Sequence, residues 1–483
     1  MKQFCVIQLI AIAAVWSGGM AGDASAGLET RSDPPNFLFV LADDLGWSDL
    51  GCYGNSFLET PNIDRLSEQG IRFTDAYAAS PVCSPTRASI LSGRFPNRFG
   101  LFDFLGGPHN FPWTKLRPPE NQPMPLQIVT LPEALSAAGY VSCHVGKWHV
   151  GNEKQDQGFV QPPAEYNIQR VLPLEFTWKL EDFVRQNPQK NTGLFTDQAV
   201  RFLASHQARP FLCYVSYHAV HIPCRGRTEL VEKYESKAEQ AKTVIDPTYA
   251  AMAEAMDESV GYLLRTLELL ELTDNTIVIF FSDNGGLFRT VQENAPRITT
   301  NRPLRGQKGQ LYEGGIRVPL IIRWPGVVRA GTVSHVPVIS HDFYPTLLEI
   351  AGLSPEHDFD GLSLAPLLAG SGRLERDSLY WFYPSYHHST PAMALREGSL
   401  KLIEFLEDSR LELYDLSRDL GEEDNLAKLM PDKASNLREK LSEMRRSVGA
   451  RLPTPNPDYE AEKETIRIDG KKKAHRIDLN ETR

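Results

Sequence analysis

The stretch Asn36-Phe37-Leu38-Phe39-Val40-Leu41-Ala42-Asp43-Asp44 decides how the chain is read. It is an apolar run of strand length that stops at two carboxylates, the pattern of a strand covered on both faces. Similar runs recur at Gly139–Val145, Phe211–Tyr217 and Thr276–Ser282. Between them, Leu131–Ala138, Thr196–Ser205 and Tyr249–Leu270 carry helical spacing, with Thr196 placed as an N-cap. Strands alternating with helices predict an α/β fold built on a large, mostly parallel sheet flanked by helices.

Further along, from about Arg373, the texture changes to short alternating segments at Ser378–Tyr383, Met393–Arg396, Leu400–Phe405 and Leu411–Tyr414, followed by a helical pattern at Asp432–Val448. These predict a smaller C-terminal α+β domain. The expected division is a signal peptide (1–26), a large α/β domain (27–372), the small domain (373–450) and a solvated tail (451–483), which takes in Arg451–Pro457 and Lys471–Lys473. No internal repeat interrupts this plan.

Composition agrees with a folded protein. The 483 residues are 41% hydrophobic and 23% charged, which excludes disorder and fibrous repeats. Lys+Arg number 51 against 61 Asp+Glu, a net charge of -10, so nothing draws the chain to nucleic acid or to an anionic membrane. An anionic substrate must be caught by a local cationic site. At the start, Lys2, the apolar run Cys5–Trp16 and the small residues Ala24-Ser25-Ala26 read as an export signal, too short to span a bilayer comfortably. A periplasmic or secreted protein is expected. Cys5 would leave with that signal, so of six cysteines five remain: Cys52, Cys83, Cys143, Cys213 and Cys224. Five is odd, and in an exported protein the unpaired one calls for a reason.

In open α/β sheets, binding residues gather past the carboxyl ends of the strands. All four runs end in polar groups: Asp43-Asp44, then Gly146-Lys147-Trp148-His149, then His218 and His221, then Asp283-Asn284-Gly285-Gly286. One site at one sheet edge accounts for all of them. Asp43, Asp44, Asp283 and Asn284 offer hard oxygen alone, which suits calcium or magnesium better than zinc. Taken singly, either acidic pair would read as a cap or turn.

A second stretch carries the chemistry: Pro81-Val82-Cys83-Ser84-Pro85-Thr86-Arg87-Ala88-Ser89-Ile90-Leu91-Ser92-Gly93. Ser84 is expected as N-cap, Pro85 as first helical residue and Gly93 as the close of a short helix. Cys83 then sits at a helix N-terminus, where the dipole favours an anion, and Arg87 adds a permanent cation. This segment resembles the Cys-x-Pro-x-Arg maturation motif of the formylglycine-dependent sulfatases, with Ser92 where Thr is more usual. Gly139-Tyr140-Val141-Ser142-Cys143-His144-Val145-Gly146-Lys147-Trp148-His149 resembles the family's second motif along its full length. The resemblance continues through Gln307-Lys308-Gly309, Tyr312-Glu313-Gly314-Gly315 and Glu412-Leu413-Tyr414-Asp415-Leu416, covering nearly all of the mature chain.

What the resemblance implies is specific. The fold is expected to be alkaline-phosphatase-like. Cys83 would be oxidised to formylglycine by a dedicated maturation enzyme, and its hydrated gem-diol would be the nucleophile. One calcium ion would be held by Asp43, Asp44, Asp283 and Asn284 together with the converted Cys83. Arg87, Lys147, His149, His221 and Lys308 would surround the sulfate, with His221 or Lys308 protonating the leaving oxygen. Three carboxylates against one divalent cation leave about one negative charge, which Arg87, Lys147 and Lys308 more than offset. His218 reads as a packing or supporting residue, and Cys143, His144 and Cys213 as core.

Two alternatives stand beside a sulfatase. One is a formylglycine-dependent phosphodiester or phosphonate hydrolase, and the other a non-catalytic binder of sulfated glycans. A sulfated carbohydrate or an aryl sulfate is the expected substrate. Trp381, Tyr383, Tyr386, His387 and His388 could pack on sugar rings or form the core of the small domain. The segment Phe95–Pro125, with Arg98, Phe99, Phe102, Phe104, Trp113 and Lys115, is a candidate substrate wall, while Arg225 and Arg227 read as solvated surface before they read as contacts to a substrate carboxylate or second sulfate.

Overall fold

A computed structural model describes residues 34–107, 112–289, 297–354, 357–370 and 372–461. The expected signal peptide and Lys471–Lys473 lie outside the described residues.

The large sheet has seven strands: β1 (Asn36–Ala42), β2 (Ile71–Phe73), β3 (Val141–Gly146), β4 (Phe211–Ser216), β5 (Thr276–Ser282), β6 (Leu320–Arg323) and β7 (Thr332–Ser334). Their order is β3-β4-β1-β5-β6-β2-β7, with β6 antiparallel to both its neighbours and every other pairing parallel. The four runs recognised in the sequence are thus four adjacent strands. Alternation along β1 explains why it is apolar throughout. Leu38, Val40 and Ala42 face one helical layer, and Phe37, Phe39 and Leu41 face the other. The first layer holds α1 (Pro61–Glu68), α4 (Leu174–Gln186), α5 (Thr192–Ser205), α6 (Thr228–Ala241) and α7 (Pro247–Leu269). Against the opposite face lie α2 (Cys83–Ser92), α3 (Leu131–Ser136) and α8 (Phe343–Ile350).

A second sheet follows, antiparallel, in the order β8 (Leu379–Tyr383), β9 (Ala392–Glu397), β10 (Leu400–Phe405) and β11 (Leu411–Asp415). One face, through Tyr380 and Phe382, packs on α9 (Pro431–Ser447). The other, through Trp381 and Tyr383, packs on Tyr77, Ala79 and Val82, the segment leading into α2. The small sheet therefore backs the helix that carries Cys83.

Three local expectations need correction. α5 begins four residues before Thr196, at Thr192; Thr196 is buried and its hydroxyl donates back to the Thr192 carbonyl at 2.8 Å and meets the Tyr217 hydroxyl at 3.1 Å, so packing displaced the capping role. α2 begins at Cys83 with Val82 as its N-cap, and the Ser84 hydroxyl instead accepts the Leu105 N–H. Gly93 does close α2, with φ 67°. The expected tail is tied down at its start, where Thr454–Pro455 pairs with Leu116–Arg117 and the buried Asn456 amide donates to the Thr114 carbonyl.

Candidate active site

Each of the four strand ends delivers its polar group to one place. At the end of β1, Asp43 is held by the turn after β4: its N–H donates to the Ala219 carbonyl and its carbonyl accepts the Val220 N–H. Asp44 follows in a left-handed conformation (φ 63°), its N–H on the Asp283 carboxylate at 3.2 Å. Such a backbone costs a non-glycine residue of order 1 kcal/mol and marks a position fixed by its surroundings. At the end of β3, Gly146 has φ 97°, and a Cβ there would lie 1.9 Å from the Ser216 carbonyl oxygen, so only glycine lets β3 turn tightly enough to aim Lys147 inward.

Arg87 comes up from the first turns of α2, 2% exposed. Its Nε donates to Asp283 at 2.8 Å and its Nη1 to the Lys147 carbonyl at 2.7 Å, so one guanidinium ties three elements together. Lys147 Nζ grips both oxygens of Asp43 at 2.9 and 2.7 Å. Lys308 Nζ does the same to Asp44, at 2.7 and 2.9 Å. His149 is left-handed as well, with φ 62°. Its Nε2 lies 2.9 Å from the Leu105 carbonyl and its Nδ1 lies 3.2 Å from Cys83 Sγ. A carbonyl only accepts, so Nε2 carries the hydrogen and Nδ1 is the bare, accepting nitrogen. His221 differs: its Nδ1 donates to the Ile222 carbonyl at 2.6 Å and its Nε2 faces the Asp44 carboxylate at 3.6 Å, beyond hydrogen-bond reach.

Electrostatics sorts these groups. Burial alone would raise the Asp43 carboxyl, but Lys147, His221, Arg87 and Lys308 outweigh it and hold it well below the usual carboxylate range. Asp44 is lowered in the same way, chiefly by Lys308. For Asp283 burial wins over Arg87 and pushes the carboxyl up to about 6. Burial, then Lys147, pulls His149 down to about 4, so its ring is neutral at physiological pH. The Cys83 thiol is pushed up, by burial first and by Asp283 and Asp43 against Lys147 and Lys308. The sequence argument that a helix N-terminus favours an anion here is overruled by the 1% exposure of Cys83.

The residues fit a hard cation. Asp43, Asp44, Asp283 and Asn284 are all buried. One ligand atom each from Asp43, Cys83 and Asp283 falls within a 4.8 Å cluster, and a second cluster joins Asp43, Asp44 and His221. Both share Asp43, so the described residues form one such site. The Asn284 side-chain oxygen is buried without a hydrogen-bond partner, as a ligand oxygen would be.

Elsewhere the structure settles open points. Cys143, Cys213 and His144 are core, with His144 stacked on Tyr214 at 5.3 Å. His218 makes a ring contact with Phe195 at 5.6 Å. Cys52 and Cys224 are free thiols. Trp381 and Tyr383 are core, whereas His388 Nδ1 meets the Lys308 carbonyl at 3.0 Å and His387 packs on Phe104. Within the expected substrate wall, Phe95 and Phe102 turn into the core and Arg98 is engaged by Asp360. Arg227 pairs with Glu258. Sequence reasoning missed the Leu105 carbonyl and Ser216, whose hydroxyl accepts from Arg87. A main-chain oxygen leaves no residue-type signal, and one serine at a strand end is too common to notice.

Comparison with known proteins points one way. Residues 35–353 match the family model described as Sulfatase, and residues 307–447 match that described as N-sulphoglucosamine sulphohydrolase, C-terminal. The chain is 34% identical to the N-acetylgalactosamine-6-sulfatase of Homo sapiens over 380 residues, covering 74% of this chain and 70% of that protein. It is 32% identical to the arylsulfatase A of Homo sapiens, covering 83% and 85%. The crystal structure of Ps i-CgsB in complex with k-i-k-neocarrahexaose superimposes with a TM-score of 0.69 at 26% identity, covering 89% of this chain and 94% of that one.

Proposed function

The chain belongs to the sulfatase family, hydrolases of sulfuric esters, and from that premise we propose that it is an exported sulfatase of sulfated carbohydrate that depends on formylglycine and calcium. The observation that carries this reading is the buried convergence of Arg87, Lys147 and Lys308 with Asp43, Asp44 and Asp283 around Cys83. Three fixed cations in a protein of net charge -10 make a local anion trap. The substrate class is supported by a relative named for an N-acetylgalactosamine 6-sulfate and by a structural neighbour bound to a neocarrahexaose. Export rests on Lys2, Cys5–Trp16 and Ala24-Ser25-Ala26, and among the described residues no helix is long and apolar enough to cross a membrane. We place the catalytic unit at 27–372 and the accessory unit at 373–450, with the tail from 451.

A buried thiol whose proton is held is a weak nucleophile. Conversion of Cys83 would supply a hydrated aldehyde with one hydroxyl to attack sulfur and another to expel sulfate, and calcium on Asp43, Asp44, Asp283 and Asn284 would supply the Lewis acid. Cys83, Ser84, Pro85 and Arg87 are buried in the finished fold, so a maturation enzyme must reach them before the chain closes. Around that centre the side chains divide the work. Arg87 and Lys147 hold the carboxylates in register and, with Lys308, offer positive charge to the sulfate. His149, with its hydrogen on Nε2, takes a proton at Nδ1 from the Cys83 position. His221, with its Nε2 turned toward Asp44, would give a proton to the leaving oxygen, with Lys308 as the neighbouring cation.

The test is chemical. Tryptic cleavage after Arg72 and Arg87 yields the peptide Phe73–Arg87, whose mass distinguishes thiol from aldehyde. Aldehyde is expected in active enzyme, together with faster turnover of an aryl sulfate than of the matched aryl phosphate. Full activity with only an alkylatable thiol would overturn the reading.

A further inference from the structure

Beside the site lies a cavity of about 570 Å³, lined by Pro188, Gln189, Lys190, Asn191, His218 and Pro223 together with Arg225. That volume is in the range of small-molecule sites. His218 forms its border with the catalytic centre, since the next two residues, Ala219 and Val220, are hydrogen-bonded to the Asp43 backbone at 2.9 and 2.7 Å. Lys190 feels the charges of Asp43 and Lys147.

Its charge is one-sided. No aspartate or glutamate lines the cavity, and among the described residues neither Lys190 nor Arg225 has an ion-pair partner. Arg227, two residues on, is by contrast paired with Glu258. Unpaired cations sharing a concavity in an acidic protein are an anion-binding arrangement.

The backbone is shaped to present them. Between α4 and α5, Lys190 (φ 56°) and Asn191 (φ 57°) are consecutive left-handed residues, each costing of order 1 kcal/mol relative to the right-handed form. The turn is held by the Asn191 N–H on the Pro188 carbonyl at 3.1 Å and the Gly193 N–H on the Asn187 carbonyl at 2.9 Å. Gly193 is required there, because a Cβ would lie 2.6 Å from the Val184 Cα. Strain kept at a site border points to a ligand.

We propose that this cavity is a subsite for a second anionic group of the substrate, with Lys190 and Arg225 as its cations and Asn191 and His218 as its polar wall. Resting on the sulfatase reading, it predicts that the enzyme prefers saccharides bearing another sulfate ester or a carboxylate near the one cleaved. Both sources share the chemistry of a small oxyanion, and the assay separates them.

The experiment compares kcat/KM on four substrates: a nitrophenyl sulfate, a disulfated saccharide, a monosulfated saccharide carrying a uronate, and the monosulfated saccharide with no second anionic group. Parent enzyme is set against Lys190→Asn, which tolerates the left-handed backbone, Arg225→Gln and the double variant, each checked for unchanged melting temperature. The parent is expected to favour one dianionic saccharide over its monoanionic counterpart. For that substrate the double variant should lose at least about tenfold more than it loses on the nitrophenyl sulfate. Preference for the disulfate assigns the subsite to sulfate, and preference for the uronate assigns it to carboxylate. Equal losses on all substrates, or no dianion preference in an active parent, would overturn the subsite. A parent that cleaves no sulfate ester would instead overturn the sulfatase reading.

Discussion

Nδ1 of His149 stands 3.2 Å from Cys83 Sγ while its Nε2 is fixed on the Leu105 carbonyl at 2.9 Å. The sulfur stands in for the side-chain oxygen that conversion would put on Cys83. Because the carbonyl fixes the tautomer, the ring can only accept at the Cys83 position, and burial beside Lys147 keeps it neutral down to about pH 4. A base of that kind serves release of sulfate from the enzyme better than attack on the substrate, which the metal would already promote.

It follows that His149→Ala should leave the first turnover nearly intact and slow the later ones by about 10²–10⁴-fold. Stopped-flow mixing with a nitrophenyl sulfate would then show a burst of one equivalent of nitrophenol before a slow steady state. Burst and steady state slowed alike would place His149 in sulfate binding instead.

Metal dependence has a readout apart from turnover. Calcium bound only to the folded chain stabilises it by RT ln(1 + [L]/Kd), about 2.7 kcal/mol at a hundredfold excess over Kd. Calcium should raise the melting temperature of the parent, chelator should lower it, and Asp283→Asn should abolish the response. Metal analysis should find about one calcium per chain. Stoichiometric zinc, with stability indifferent to calcium, would contradict the oxygen ligand set.

How much of this was legible varies with the physics of each feature. β1 and Asp43-Asp44 were plain because apolar periodicity and an abrupt polar stop coincide there. The small sheet was legible for the same reason, each of its four strands falling within a residue or two of the expected bounds. Helix starts were less so: Thr196 and Ser84 have capping chemistry, yet both are fully buried and spend their hydroxyls on tertiary partners. The Lys190–Asn191 turn was invisible, since left-handed residues that are not glycine have no reliable letter code.

Packed between the two sheets, Lys401 Nζ lies 2.8 Å from Glu313 and 2.9 Å from Glu422, all three with fully buried side chains. Glu313 also pairs with Arg317 at 2.7 Å, whereas Glu422 has Lys401 alone as its ion-pair partner among the described residues. Burial pushes Glu422 up from 4.5 to about 7, Glu313 adding to the rise against Lys401, while Glu313 is held down at about 2, its own burial outweighed by Lys401, Arg317 and Arg396. A raised folded-state value means stability that is complete below pH 4.5 and lost as pH rises through 7. The loss has an upper bound of about 3 kcal/mol, at 1.36 kcal/mol per unit. Denaturation of the calcium-saturated parent should therefore weaken across that window, and Glu422→Gln should flatten the slope. Identical slopes would show that Glu422 is ionised throughout.

The sharpest test of the leaving-group side concerns His221. Its ring donates from Nδ1 to the Ile222 carbonyl, which fixes its orientation, and presents Nε2 toward Asp44 at 3.6 Å. A general acid matters in proportion to the basicity of the group it protonates. A nitrophenolate leaves without help, but a sugar alkoxide does not. His221→Ala should thus cost about 10²–10⁴-fold on a sugar sulfate and far less on a nitrophenyl sulfate. His218, whose ring packs on Phe195, should when changed to alanine slow the nitrophenyl sulfate and a sugar sulfate without a second anionic group by a smaller and similar factor. Equal losses on good and poor leaving groups for His221→Ala would make it a sulfate ligand, and Lys308, 2.7 Å from the same Asp44 carboxylate, would remain as the acid.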